Sequence, residues 1–106
     1  MTSTDKAFVD TVQLEIAEEK AGTLGRTGQR LQAAVELLRE HERNRTNGGR
    51  HADSKRERLL WDLAERAESF IVQREACGLR DSRHALAFYG VPRDAIARIG
   101  AKRPRR

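Results

Sequence analysis

The chain has 106 residues, of which 38% are hydrophobic, 5% are aromatic and 35% are charged, and its formal net charge is +5. This length fits one domain and excludes a barrel enzyme or a doubly wound sheet, because both need many more elements. No apolar run approaches the roughly 20 residues that span a bilayer, and the start of the chain lacks a signal-peptide pattern. The single cysteine, Cys77, cannot form an internal disulfide. We therefore expect a cytoplasmic protein that has no membrane contact.

The charge is distributed unevenly along the chain. Residues 1–21 carry two lysines against five acidic residues, whereas residues 79–106 carry eight basic residues against two acidic ones. Half of those eight lie in the tail: Lys102, Arg103, Arg105 and Arg106. Because the rest of the chain is nearly neutral, the pattern does not indicate a nucleic-acid platform over the whole surface. We expect one helical domain over residues 1–100 and a disordered basic tail over residues 101–106.

Good helix formers dominate, and no stretch alternates in the way of a strand, so the sequence predicts an all-α fold. The first predicted helix runs from about Asp5 to Leu24 and carries two apolar stripes on different sides. One stripe consists of Phe8, Val9, Val12 and Ile16, and the other of Leu14, Ala17, Ala21 and Leu24. A helix with two apolar stripes must be packed against other elements on two sides, so we expect it at the centre of the fold or in a subunit interface.

Three glycines punctuate the end of this helix and the residues after it at intervals of three residues: Gly22, Gly25 and Gly28. We expect a turn between helices here and not a phosphate loop, because a Walker loop follows a strand and ends in Gly-Lys-Ser/Thr. In this chain Gly28 is followed by Gln29. The second predicted helix runs from a cap at Thr27 to about Arg43.

A loop over residues 44–51, which we expect to be mobile, follows the second helix. The third predicted helix begins after it at a capping box formed by Ser54 and Glu57 and ends at Gly78. Trp61 lies off its main apolar stripe and is predicted to cover a partner helix or another subunit. A short helical pair, over about residues 83–89 and 92–99, follows Gly78. The sequence thus predicts three principal helices in a bundle plus a short C-terminal helical pair.

Patterns that carry chemistry are sparse. The three histidines lie far apart in the chain, at His41, His51 and His84. No Glu-x-x-His pair of the di-iron type occurs, so the acidic cluster of Glu15, Glu18 and Glu19 indicates a solvated face. Cys77 lies on the apolar stripe at the negative end of its helix, which favours packing over a role as nucleophile. We predict no catalytic residues, no metal and no cofactor.

The segment from Leu86 to Ile99 resembles a helix-turn-helix, with Gly90 in the turn. In that motif Arg93 and Arg98 would face DNA from the second helix, and the basic tail would add affinity for phosphates that depends on salt. Leu86 departs from the motif, which has a small residue four positions before the glycine. The other interpretation is a helical cap that folds back on the third helix.

The segment 72–81 and the run Tyr89-Gly90-Val91-Pro92-Arg93 resemble a group of small uncharacterised bacterial all-helical proteins. Residues 19–28 are similar to the same group. The resemblance extends over most of the chain and implies no activity.

These observations predict a non-enzymatic helical interaction or adaptor protein that self-associates, with a homodimer and an unidentified protein as its expected partners. The candidate interface residues are Val9, Val12, Ile16 and Trp61. The alternative is a small nucleic-acid-binding protein that uses the C-terminal helices and tail. Its candidate contacts are Arg93, Arg98, Lys102, Arg103, Arg105 and Arg106.

Overall fold

Two long antiparallel helices form the body of the protein. The computed structural model describes residues 3–45 and 49–104. Helix α1 spans Ser3–Arg43 and helix α2 spans Arg50–Ala76. Two short helices follow, α3 over Ser82–Tyr89 and α4 over Arg93–Ile96. The described residues contain helices and no strand, which confirms the all-α class.

Helix α1 is continuous where the sequence predicts a turn, so the three principal helices of the prediction are corrected to two. The hydroxyl of Thr27 donates to the carbonyl of Leu24 at 2.8 Å, inside the helix, and so does not cap a new one. Helix α2 packs along α1 on both sides of residues 27–28, and the resulting core is one apolar cluster. Its buried members are Leu31, Val35, Leu38, Leu60, Leu63, Ala67, Phe70, Leu86, Val91 and Ala95. This packing offsets the roughly 1 kcal/mol that each glycine costs in a helix interior.

Gly28 is buried because α3 approaches α1 closely at this point. A Cβ atom on Gly28 would lie 3.0 Å from the hydroxyl of Tyr89 and 3.5 Å from Cε1 of Phe70. The rings of Phe70 and Tyr89 pack edge to face, with centroids 5.3 Å apart. A Cβ atom on Gly25 would have no neighbour within 4 Å. Of these two glycines, Gly28 is the one that the packing requires.

The ends of α2 follow the predicted pattern in part. The helix begins at Arg50, before the predicted capping box, and Ser54 therefore lies inside it. The carboxylate of Glu57 accepts hydrogen bonds from Arg98 and does not act in a cap. At the other end the helix stops at Ala76, and Gly78 has a φ of +78°, which is the left-handed conformation expected after a helix end.

The C-terminal helical pair folds back on the body. Gly90, with a φ of +77°, ends α3 as predicted, and the amide of Val91 donates to the carbonyl of Leu86. Helix α4 is four residues long and so is shorter than predicted, yet its Ala95 is fully buried. The pair therefore completes the core between α1 and α2.

Helix α2 is too short to cover all of α1. Its C-terminal end lies beside the middle of α1, where Sγ of Cys77 is 3.7 Å from the carbonyl oxygen of Lys20. Residues 3–19 of α1 extend beyond this point, and we call them the arm. At 1.5 Å per residue the arm is about 25 Å long, and the molecule measures 70 × 25 × 23 Å.

Candidate functional site

The arm exposes large apolar side chains along its length. Phe8 is 70% exposed and Ile16 is 50% exposed, while Val9 is exposed and Val12 is half-buried. We call these four residues the arm stripe. Three of them are the predicted interface residues of the first helix, and the structure brings all three together on the arm. Contiguous apolar surface of this kind typically marks a site of protein–protein contact.

The arm has no tertiary support from α2. A helix of about 17 residues is marginally stable in water on its own, since most helical stability in proteins comes from packing of an apolar face. Within the arm, the hydroxyl of Thr11 donates a hydrogen bond to the carbonyl of Ala7, one turn earlier in the same helix. The sequence prediction that this helix must be covered on two sides is therefore not met within one chain.

The arm is also acidic. Its carboxylates at Asp10, Glu15, Glu18 and Glu19 form no ion pair with any described residue. Lys6 is the one lysine of the arm, and Lys20 follows at its base. The arm thus presents an apolar stripe in a negatively charged helix.

A second apolar surface lies at the end of the body from which the arm emerges. We call it the C-terminal groove, and it runs between the end of α2, the following turn, α3 and the α4 region. Its apolar lining consists of Ile71, Leu79, Leu86, Ile96 and Ile99. Leu79 is 41% exposed and Ile96 is 40% exposed, so the lining is open to water. Its rim carries Glu75, Arg80, Asp81 and Arg83.

Trp61, the remaining interface candidate, is half-buried beneath an arginine of the same chain. The guanidinium carbon of Arg98 lies 5.7 Å from the centroid of the Trp61 ring. The same guanidinium donates through Nη2 to both carboxylate oxygens of Glu57, at 2.7 and 3.0 Å. One side of the indole therefore has an intramolecular neighbour, unlike the arm stripe.

Two of the candidate nucleic-acid contacts are held by carboxylates of α2. Arg98 pairs with Glu57, and Nη1 of Arg103 donates to Asp62 at 2.9 Å and to Glu65 at 3.3 Å. The hydrogen bond that Arg103 donates to Asp62 raises the pKa of Arg103 above its ordinary value. These arginines stabilise the fold of the C-terminal segment against α2.

The other candidate contacts have different surroundings. Arg93 and Lys102 are exposed, and neither has an ion pair with another residue that the structure describes. Arg105 and Arg106 lie outside the described residues. The structure thus splits the predicted set, since Arg98 and Arg103 face α2 while Arg93 and Lys102 face solvent.

An ion-pair network that the sequence did not predict joins three helices. Nε of Arg56 donates to Glu42 at 2.8 Å, and Nη2 donates to Asp94 at 3.0 Å. Hydrogen bonds to Glu42 and then to Asp94 raise the pKa of Arg56 above its ordinary value. The network fixes α4 against the α1–α2 pair. No local spacing in the sequence signals it, because Arg56 and Asp94 are 38 residues apart.

The residues considered for chemistry are dispersed. Across residues 3–45 and 49–104, no three His, Cys, Asp or Glu side chains form a group that could hold a metal ion. Cys77 is half-buried, and its thiol donates to the carbonyl of Lys20. No helix in the described part of the chain is long and apolar enough to cross a membrane.

Comparison with known proteins finds no family model, no curated protein and no solved structure that matches this chain. The resemblance to small bacterial helical proteins stays a prediction. The features of the molecule that indicate a function are therefore the arm and the surfaces around it.

Proposed function

We propose that this chain is a non-enzymatic helical interaction protein that acts in the cytoplasm and self-associates as a homodimer through its arm. One observation carries the proposal, namely that residues 3–19 of α1 extend past the end of α2 with the arm stripe uncovered. A second chain that covers this stripe removes apolar surface from water and supplies the packing that the arm lacks.

Burial of the arm stripe in a dimer contributes a free energy comparable to the cost of association. Full burial of one Val, Ile or Phe side chain contributes about 1.5–3 kcal/mol. In a two-fold dimer each residue of the stripe is buried twice, once in each copy. Since the four side chains are on average only about half exposed in one chain, their burial in both copies contributes about 6–11 kcal/mol, which is comparable to an association cost of about 4–15 kcal/mol.

A nucleic-acid role has less support from the arrangement of the C-terminal segment. Arg98 and Arg103 already bind carboxylates of α2. Helix α4 is four residues long, whereas a recognition helix lies along the major groove and reads several bases. The cations that remain for phosphate contact among the candidates in the described part are Arg93 and Lys102.

Sedimentation velocity over a range of protein concentrations tests the proposal. The chain as it stands should form dimers, and the double variant Phe8→Gln/Ile16→Gln should raise the dimer Kd at least about 100-fold, since each tenfold step corresponds to about 1.4 kcal/mol. Glutamine is a good helix former, so the arm should remain helical in circular dichroism.

Leu37→Gln is the matched control. Leu37 is 55% exposed, close to the value for Ile16, but it lies on the part of α1 that α2 covers. This variant should leave the dimer Kd within about threefold. A chain that stays monomeric at about 1 mM, or equal effects of the arm and control variants, contradicts the proposal.

A further inference from the structure

We infer that the arm of one copy docks in the C-terminal groove of a second copy, in a reciprocal two-fold exchange. This inference rests on the self-association proposed above and assigns the surface that receives the arm. It concerns two features of the described residues, an arm without cover and a groove with an exposed apolar lining.

The positions of the arm and the groove allow this exchange. The arm leaves the body beside Cys77, and Leu79 of the groove follows two residues later in the chain. Arm and groove thus lie at the same end of the molecule. When the arm of one copy enters the groove of a second copy, a two-fold axis brings the second arm to the first groove. The contact closes on two chains and doubles its area, which helps a helix of about 17 residues reach the roughly 1,200 Å² of a stable interface.

The signs of the charges on the arm and on the C-terminal segment also favour this exchange. Direct pairing of two arms places two acidic helices side by side, and like charges in contact are unfavourable. The C-terminal segment has the opposite sign. Four of its described cations, Arg80, Arg83, Arg93 and Lys102, have no ion pair within the described ranges. Attraction between unlike charges therefore favours docking of the arm on this segment.

Charged residues also flank both apolar surfaces. At 100° per residue, Glu15 lies about 20° beyond the Phe8 edge of the arm stripe, Glu19 lies between Phe8 and Val12, and Lys20 lies about 20° beyond the Val9 edge. The rim of the groove also carries both signs, with Arg80 and Arg83 as cations and Glu75 and Asp81 as anions. Glu15 and Glu19 on one side of the stripe and Lys20 on the other can therefore each meet a counter-charge on this rim.

A charge exchange between two variants tests the inference. The groove variant carries Arg80→Glu and Arg83→Glu, and the arm variant carries Glu15→Arg and Glu19→Arg. Each variant alone places like charges at both reciprocal contacts, so each should show a dimer Kd at least about tenfold weaker than the unaltered chain. An equimolar mixture pairs opposite charges at both contacts and should restore a heterodimer with a Kd within about threefold of the original.

The control variant Arg58→Glu/Arg66→Glu makes the same change in net charge on α2, at exposed positions outside the groove. It should have the same dimer Kd as the unaltered chain, and mixing it with the arm variant should not produce a heterodimer of the original affinity. Circular dichroism of every variant verifies that the helices are retained.

The outcomes separate this inference from the proposed function. If the groove variant dimerises normally while Phe8→Gln/Ile16→Gln does not, the arm is the binding element but it docks elsewhere, and the inference is wrong. If the arm variant forms a heterodimer with the control variant as tightly as with the groove variant, the inference is also overturned, because net charge then explains the effect. A chain that is monomeric throughout overturns the proposed function and this inference together.

Discussion

Substitution of Gly28 by alanine tests whether α1 is one helix held against α3. In an exposed helix interior, a change from glycine to alanine stabilises the protein by about 0.8–1 kcal/mol. At Gly25 nothing lies within 4 Å of the new Cβ atom, so Gly25→Ala should gain this amount in full. At Gly28 the Cβ atom would lie 3.0 Å from the hydroxyl of Tyr89, whose ring packs edge to face with those of Phe70 and Phe88.

Overpacking of this kind costs about 1–3 kcal/mol. Gly28→Ala should therefore lose about 1 kcal/mol of stability overall, although the same change at Gly25, less than one turn earlier in α1, is favourable. Removal of the hydroxyl by Tyr89→Phe leaves the nearest atoms of Phe70 and of residue 89 at 3.5 and 3.8 Å, which are ordinary contacts. In that background Gly28→Ala should again stabilise the protein, with a coupling energy of about 1–2 kcal/mol.

Thermal unfolding of the unaltered chain and these four variants, followed by circular dichroism at one protein concentration, measures the differences in stability. For a domain of this size 1 kcal/mol corresponds to about 4–8 °C in Tm. Gly25→Ala should raise Tm, and Gly28→Ala should lower it unless Tyr89 is also replaced. Equal stabilisation by Gly25→Ala and Gly28→Ala would refute the close approach of α3, and destabilisation by Gly25→Ala would point to a turn in place of a continuous helix.

Two further predictions concern the core and the anchor of the C-terminal segment. Leu63 is fully buried between the helices, so Leu63→Ala should cost about 2–5 kcal/mol in urea unfolding, and a loss below about 1 kcal/mol would contradict this packing. Arg98→Lys removes the contact with both carboxylate oxygens of Glu57 and the planar guanidinium over Trp61. It should therefore lower the free energy of unfolding by up to about 1 kcal/mol. It should also shift the fluorescence emission of the single tryptophan. Unchanged emission would show that Arg98 does not lie over the indole in solution.

Local patterns predicted the helices and several of their ends. Gly78 and Gly90 both adopt the positive φ that the sequence assigns to helix ends. The prediction of a turn at the glycines of α1 is wrong because glycine occurs both in turns and where two helices approach each other closely. The lack of room for a side chain at Gly28 is caused by Tyr89, which is 61 positions away, and no window of neighbouring residues contains that information.

The sequence predicts residues of the candidate site, but it does not predict how the surrounding helices are placed relative to them. Two apolar stripes on the first helix indicated a surface that needs cover, and Val9, Val12 and Ile16 do lie on the uncovered arm. Where α2 ends relative to α1 depends on the register of two long helices, which is decided by packing and not by local propensity. The pairing of Arg98 with Glu57, 41 residues apart, was hidden for the same reason.

Hydrogen exchange followed by mass spectrometry tests most directly whether the arm is covered by association. It compares one sample below the dimer Kd with one well above it. Amides of residues 5–19 should exchange rapidly in the dilute sample and become protected in the concentrated one, because only association packs the arm. Amides of residues 60–70, which lie in the core, should be protected in both. Equal exchange of the arm in a monomeric and a dimeric sample would contradict the account.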